Sequence, residues 1–174
     1  MLCFGIRPRS WAIPALITAS LLGSACTPRV QVFYSPTNDG TVSPGLSLPA
    51  DGSQVELPVW LKPSVADRST PGLGCSGQGA GTEVCRWQLS ISAKGSVRIV
   101  SFRAAAGVQM NLTAETLAVS GGNPIAPDVS PEPVGSLTVR STGEGSIVAQ
   151  GSYVDSSLAL AEIPAQMLAT ASPL

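Results

Sequence analysis

Two stretches of strict two-residue alternation set the terms for this chain. From Gln54 to Leu61, Val55, Leu57, Val59 and Leu61 fall in one phase, and Gln54, Glu56, Pro58 and Trp60 fall in the other. From Arg86 to Ala93, Trp87, Leu89, Ile91 and Ala93 alternate with Arg86, Gln88, Ser90 and Ser92. A period of two puts successive side chains on opposite faces of an extended backbone, so each stretch predicts a strand with one face in a core and one in water. Pro58 has no N–H for a ladder and predicts that its strand lies at a sheet edge. No apolar period of 3.6 persists for three turns, which removes the basis for a core-facing helix.

Shorter apolar runs predict further strands at Val108–Leu112, Leu117–Val119, Gly135–Arg140, Gly145–Gly151 and Ser157–Ile163. Between them stand breakers: Gly121-Gly122-Asn123-Pro124, the Pro127 to Pro133 segment, and Thr142-Gly143-Glu144-Gly145. Lys94-Gly95-Ser96 reads as the turn of a hairpin that leads into Val97–Phe102. Thr113 reads as the cap of a single helical turn through Thr116. Residues 26–53 carry four prolines and the turn signals Asn38-Asp39-Gly40 and Asp51-Gly52, and read as a tether with one short strand at Val30–Tyr34. The expected organisation is therefore an N-terminal signal at 1–25, a tether at 26–53 and an all-β, antiparallel β-sandwich of about eight or nine strands at 54–174.

Within that sandwich, Val55-Glu56-Leu57-Pro58-Val59-Trp60-Leu61 resembles the first strand of cohesin-type domains, an alternating apolar strand with a proline. Gly135-Ser136-Leu137-Thr138-Val139-Arg140, a Gly-rich turn and Ser146-Ile147-Val148 resemble the late strands of the same family. The resemblance spans roughly residues 54–163. It departs from the family in the Cys75/Cys85 loop that precedes the second strand and in Val139, where the family has an aromatic residue. What it implies is a jelly-roll sandwich used for binding, protein to protein.

The N-terminus predicts export. Arg7 and Arg9 precede an uncharged run from Trp11 to Leu22, which as a helix spans about 18 Å at ~1.5 Å per residue, short of a ~30 Å hydrocarbon core. A run of this length is a signal h-region, and the small residues Gly23, Ser24 and Ala25 lead directly into Cys26. The junction resembles a bacterial lipobox, which implies diacylglycerol on Cys26 and an envelope lipoprotein. Plain signal cleavage with secretion, or a disulfide role for Cys26, are the alternatives. Two acyl chains would suffice for stable anchoring.

Loss of residues 1–25 removes Arg7, Arg9 and Cys3, leaving eight basic residues against 11 acidic ones. With no cluster of Lys and Arg, nucleic acid is not an expected partner. If Cys26 carries lipid, Cys75 and Cys85 remain to form a disulfide around a Gly-rich loop, as suits an oxidising compartment. Two cysteines supply too few ligands for zinc, and the acidic turns lack the spacing of a calcium loop, so neither metal nor other cofactor is expected.

The chain has no histidine. That removes Ser-His-Asp and Cys-His nucleophile arrangements and the commonest general base, and the expectation is a protein that is not an enzyme. Trp87 shares the phase of Leu89 and Ile91 and belongs to the core. Trp60 falls in the polar phase with Glu56 and Gln54, and these three residues form the expected binding surface, where an exposed indole would anchor a protein or stack on a sugar. The leading expectation is a non-enzymatic extracytoplasmic module that binds another protein at the cell envelope. A carbohydrate-binding module, recognising polysaccharide through a row of exposed aromatics, is the first alternative, and an architectural lipoprotein without a specific ligand is the second.

Overall fold

The computed structural model describes residues 30–63, 75, 84–113, 115–125, 131–155 and 160–172. The expected signal segment and Cys26 lie outside the described residues. Eight strands follow in order: β1 (Val30–Tyr34), β2 (Leu46–Leu48), β3 (Gln54–Pro63), β4 (Val84–Ala104), β5 (Val108–Leu112), β6 (Thr116–Gly121), β7 (Glu132–Asp155) and β8 (Leu160–Ala171).

The frame of the molecule is one long antiparallel ladder. β4 and β7 pair from Val84↔Asp155 to Ala104↔Gly135. On the far edge of β7, β3 takes the first part, from Glu132 to Arg140, and β8 takes the second, from Gly145 to Val154. β1 lies beyond β3, and β6 then β5 lie beyond the first half of β4. β2 joins the outer edge of β8 in the parallel sense. The strand path β1-β3-β7-β4-β6-β5 therefore makes two layers from one continuous sheet. One layer is β1, β3 and the Val97–Ala104 and Glu132–Arg140 halves of the long strands; the other is β8, their remaining halves, β6 and β5. β1 rests against β8 although the two share no ladder.

Alternation explains why the layers close on each other. Leu57, Val59 and Leu61 of β3 are fully buried, as are Ile91, Val97, Leu137, Val139 and Ile147 of the long strands, and all belong to a single core with Leu117, Ile163 and Leu168. Trp87 is in that core, its indole lying so close over Gly121 that a Cβ there would meet the ring at 2.5 Å.

Three expectations are corrected. Lys94-Gly95-Ser96 is not a hairpin turn, and neither is Thr142–Gly145: β4 and β7 both run straight through. Gly95 sits opposite Gly145 with φ +68°, and the ladder shifts register between Gly95 and Val97. A Cβ on Gly95 would overlap the Glu144 carbonyl oxygen, and one on Gly145 the Lys94 carbonyl oxygen, so the bend needs glycine on both strands. Thr113 closes the β5–β6 hairpin instead of capping a helix: its N–H donates to the Thr116 carbonyl at 2.8 Å and its Oγ1 accepts from the Thr116 N–H at 3.1 Å. The sandwich also begins at Val30, not Gln54. β1 is buried at four of its five positions and pairs with β3, and Pro36, Pro44 and Pro49 belong to the turns between β1, β2 and β3.

Those turns are fixed by their aspartates. Asp39 accepts from the Thr41 N–H at 2.8 Å and Asp51 from the Ser53 N–H at 2.9 Å. The Thr37 hydroxyl and the Thr41 amide hold the Asp39 carboxyl well below the usual carboxylate range, and the Ser53 hydroxyl lowers Asp51. Both are turn-forming residues, as their sequence setting predicts.

Cys75 and Cys85 form the expected disulfide, with Cα atoms 5.3 Å apart, and tie the segment before β4 to that strand's second residue. Closing a loop of this size stabilises the fold by about 2–3 kcal/mol through the unfolded chain. Reduction is expected to lower the melting temperature by roughly 5–10 °C. Thermal melts followed by circular dichroism with and without reductant check this, and coincident curves would show that the cross-link contributes nothing.

Candidate functional site: a polar groove across five strands

The expected surface on β3 is only partly as the alternation suggests. Gln54 and Glu56 are exposed. Glu56 Oε1 accepts from Arg103 Nη2 at 3.2 Å and from the Ser136 hydroxyl, a link that crosses β3, β7 and β4. At 82% and 58% side-chain exposure this ion pair adds little to stability. Pro58 marks a change along β3. Before it, one edge of the strand has no ladder partner among the described residues; over Val59–Leu61 β1 and β7 flank it on both sides. Trp60 therefore does not stand on an edge. It lies opposite Phe33 on β1 and Pro133 on β7, is half-buried, and its indole N–H is buried without a hydrogen-bond partner. Phe33, its register partner on β1, is itself 5% exposed while standing outside the main core.

This arrangement bears on sugar binding. Phe33, Tyr34, Trp87, Phe102 and Tyr153 are all buried and Trp60 is half-buried, so among the described residues Trp60 is the one aromatic with more than marginal exposure. The row of exposed aromatics that a stacking carbohydrate module needs is not formed there.

The opposite outer face carries a recess. A groove of about 880 Å³ runs across β8, β7, β4, β6 and β5. Its floor follows directly from the register. Glu162, Ser152, Gln88, Ser120 and Gln109 form one row across the five strands, and Gln150, Ser90, Ala118 and Asn111 form the next. These are the outward phases of strands whose inward phases are Leu89, Ile91, Leu117, Val119, Ile147 and Ala149. Gln88 Nε2 donates to the Ser152 hydroxyl at 2.9 Å, bracing the centre of the floor. Leu160, 73% exposed, and Met110, 51% exposed, stand at the two rims. Beyond Gln88 the recess continues toward Arg86, Gly107 and Gly122.

The chemistry of the groove is narrow. Among the described lining residues Glu162 is the one that carries charge; the remainder are amides, hydroxyls, small aliphatic groups and the apolar rims. Amides and hydroxyls both donate and accept hydrogen bonds, so the floor can meet either polarity of a neutral surface without desolvating an ion. Low side chains on the floor let a partner approach the sheet closely. No three of the described Asp, Glu and Cys residues converge as metal ligands. The polar phase of β4 is legible in the sequence, but the four strands that continue its rows are brought beside it only by the fold.

No protein-family model matches the sequence, and no curated protein matches it significantly. Among solved structures, the chain is similar to a non-cellulosomal cohesin from the hyperthermophilic archaeon Archaeoglobus fulgidus, at 10% identity, over 83% of this chain and 88% of that one, with a TM-score of 0.50. It is also similar to the cohesin module of a Clostridium perfringens family 33 glycoside hydrolase, at 8% identity over 84% and 98% of the two chains with a TM-score of 0.48. A third match is BcpA, the major pilin subunit of Bacillus cereus, at 7% identity, over 83% of this chain and 40% of that one, with a TM-score of 0.49. The likeness to the archaeal cohesin is one of fold: an all-β, cohesin-like sandwich.

Proposed function

We propose that this chain is a non-enzymatic extracytoplasmic binding module that holds a partner protein at the cell envelope on the groove of the β8-β7-β4-β6-β5 layer. The observation that carries this reading is the groove itself: five strands wide, almost free of charge, floored by paired amides and hydroxyls and rimmed by exposed Leu160 and Met110. Its scarcity of charge matches the depletion of charged residues at the centre of protein recognition sites. Support for a binding role comes from the cohesin-like sandwich, and support for an envelope location from the Arg7/Arg9 signal pattern with Cys26 as the lipid-bearing residue of the mature chain. Absence of histidine from the sequence supports a role without nucleophilic catalysis.

Ser90 lies at the middle of the floor, paired with Gln150 and Ala118 on its two sides. A Ser90→Arg variant points a long cation into the recess without touching the core. Immobilised full chain, challenged with envelope extract, is expected to retain a saturable protein partner. Ser90→Arg should lose it at least tenfold, and Glu56→Ala, on the other outer face, should keep it. Because Glu162 is the one charge among the described lining residues, retention should change little between low and high salt. Failure to recover any saturable partner, or equal retention by Ser90→Arg, would overturn the assignment.

A further inference from the structure

We propose that two copies of this chain pair through the open edge of β5, antiparallel and about a two-fold axis at Met110, so that their five-strand layers become one sheet. Among the described residues β5 has β6 as its one ladder partner. Which backbone groups remain open follows from the hairpin. The Thr113 N–H bonds to the Thr116 carbonyl, so this pair is a bonded one. Bonded and non-bonded pairs alternate in an antiparallel ladder, which makes Asn111↔Ala118 and Gln109↔Ser120 the next bonded pairs. The N–H and C=O groups of Met110 and Leu112 and the C=O of Val108 therefore point away from the sheet, while the Val108 N–H is taken by the Ala105 carbonyl at 3.2 Å.

The strand's sequence fits a second copy of itself. Val108-Gln109-Met110-Asn111-Leu112 reads apolar, amide, apolar, amide, apolar in either direction. With Met110 opposite Met110 of the other copy, Val108 meets Leu112 and Gln109 meets Asn111. The two Met110 residues exchange two hydrogen bonds, and each Leu112 N–H reaches the other copy's Val108 carbonyl, giving four in all. No charge lies on the strand, so self-pairing brings no like charges together.

Burial supplies an independent sign. Met110 shares the inward phase of Val108 and Leu112, which pack against the core, yet it is 51% exposed, and among the described residues no strand stands beyond it. The neighbouring strand places Met110 against the second copy's Met110. Two other edges are blunted in ways β5 is not. The Val97–Ala104 edge of β4 carries Arg98, Arg103 and a bulge after Ile99, and β8 carries Pro164. This pairing holds whatever the groove binds, but it draws Met110, one rim of that groove, into the seam and would set the two grooves side by side on one surface.

Sedimentation velocity on the mature-length chain from residue 26, carrying Cys26→Ser, tests the proposal. A concentration-dependent dimer is expected, with Met110→Lys raising its dissociation constant at least tenfold while the melting curve stays in place. Bonded antiparallel residues lie about 5.5 Å apart at Cα, within the disulfide range of ~4.4–6.8 Å, so Met110→Cys should cross-link two copies on mild oxidation and Gln109→Cys should not. The cross-link result holds even if Met110→Lys were to misfold. A monomer at the highest soluble concentration, a dimer indifferent to Met110→Lys, or equal cross-linking from the two cysteine variants would each overturn the pairing.

Discussion

Gly145→Val is expected to abolish the cooperative thermal transition of the sandwich. Gly145 lies opposite Gly95 at the bend of the central ladder. A Cβ there would overlap the Lys94 carbonyl oxygen and stand 2.8 Å from Val97 Cγ2 and 3.1 Å from the Ser96 N–H nitrogen. These neighbours are mostly backbone, so relief requires parting β4 from β7 where both layers join. Ordinary overpacking costs about 1–3 kcal/mol because side chains can shift. Here the backbone itself would have to move, and a domain with about 5–15 kcal/mol in total has little margin for that. Gly122→Ala is the matched comparison: an added Cβ there meets nothing within 4 Å, and the variant should melt within a few degrees of the parent. Circular dichroism melts of the two variants decide the matter, and a Gly145→Val protein that melts cooperatively near the parent temperature would show that the bend tolerates a side chain.

Leu137→Ala is expected to destabilise the fold by about 2–5 kcal/mol, the usual cost of truncating a fully buried leucine. Leu137 has no exposed surface and sits at the centre of the inward face, with Leu57 opposite on β3 and Phe102 opposite on β4. All three side chains lie in one row across three strands, and those ladders hold the surrounding backbone in place, so the cavity has little means to collapse. Urea unfolding should give a lower midpoint with an unchanged slope. A shift under ~1 kcal/mol would mean that the layers close over the gap.

The sequence carries the core and the class of fold because both depend on a local period. Val55, Leu57, Val59 and Leu61 announce their face within eight residues, as do Trp87, Leu89 and Ile91. The all-β, cohesin-like sandwich follows from the same pattern and from the resemblance of the β3 and β7 segments. The bends are a different matter. Lys94-Gly95-Ser96 has the composition of a hairpin turn, and only the presence of Gly145 across the ladder shows that the strand continues; the pairing that decides it is far away along the chain. Alternation puts Trp60 on the outer face, but the strand that flanks it there, with Phe33 opposite, is one that the prolines of 36–49 make look like a tether. The groove was hidden because its floor is assembled from five segments, each an unremarkable polar phase on its own.

The pairing of Val84 with Asp155 also governs how the chain reaches this shape. β4 emerges early with a full set of apolar side chains, and β6 can cover part of one edge, but its main partner is complete only when the last turn of β7 has been made. The contacts that define the sheet are distant in sequence, and loops must close before such contacts repay their entropy. Collapse onto the native topology is therefore a late event. Until then β4 is a long sticky ribbon, open to whatever strand or chaperone meets it first.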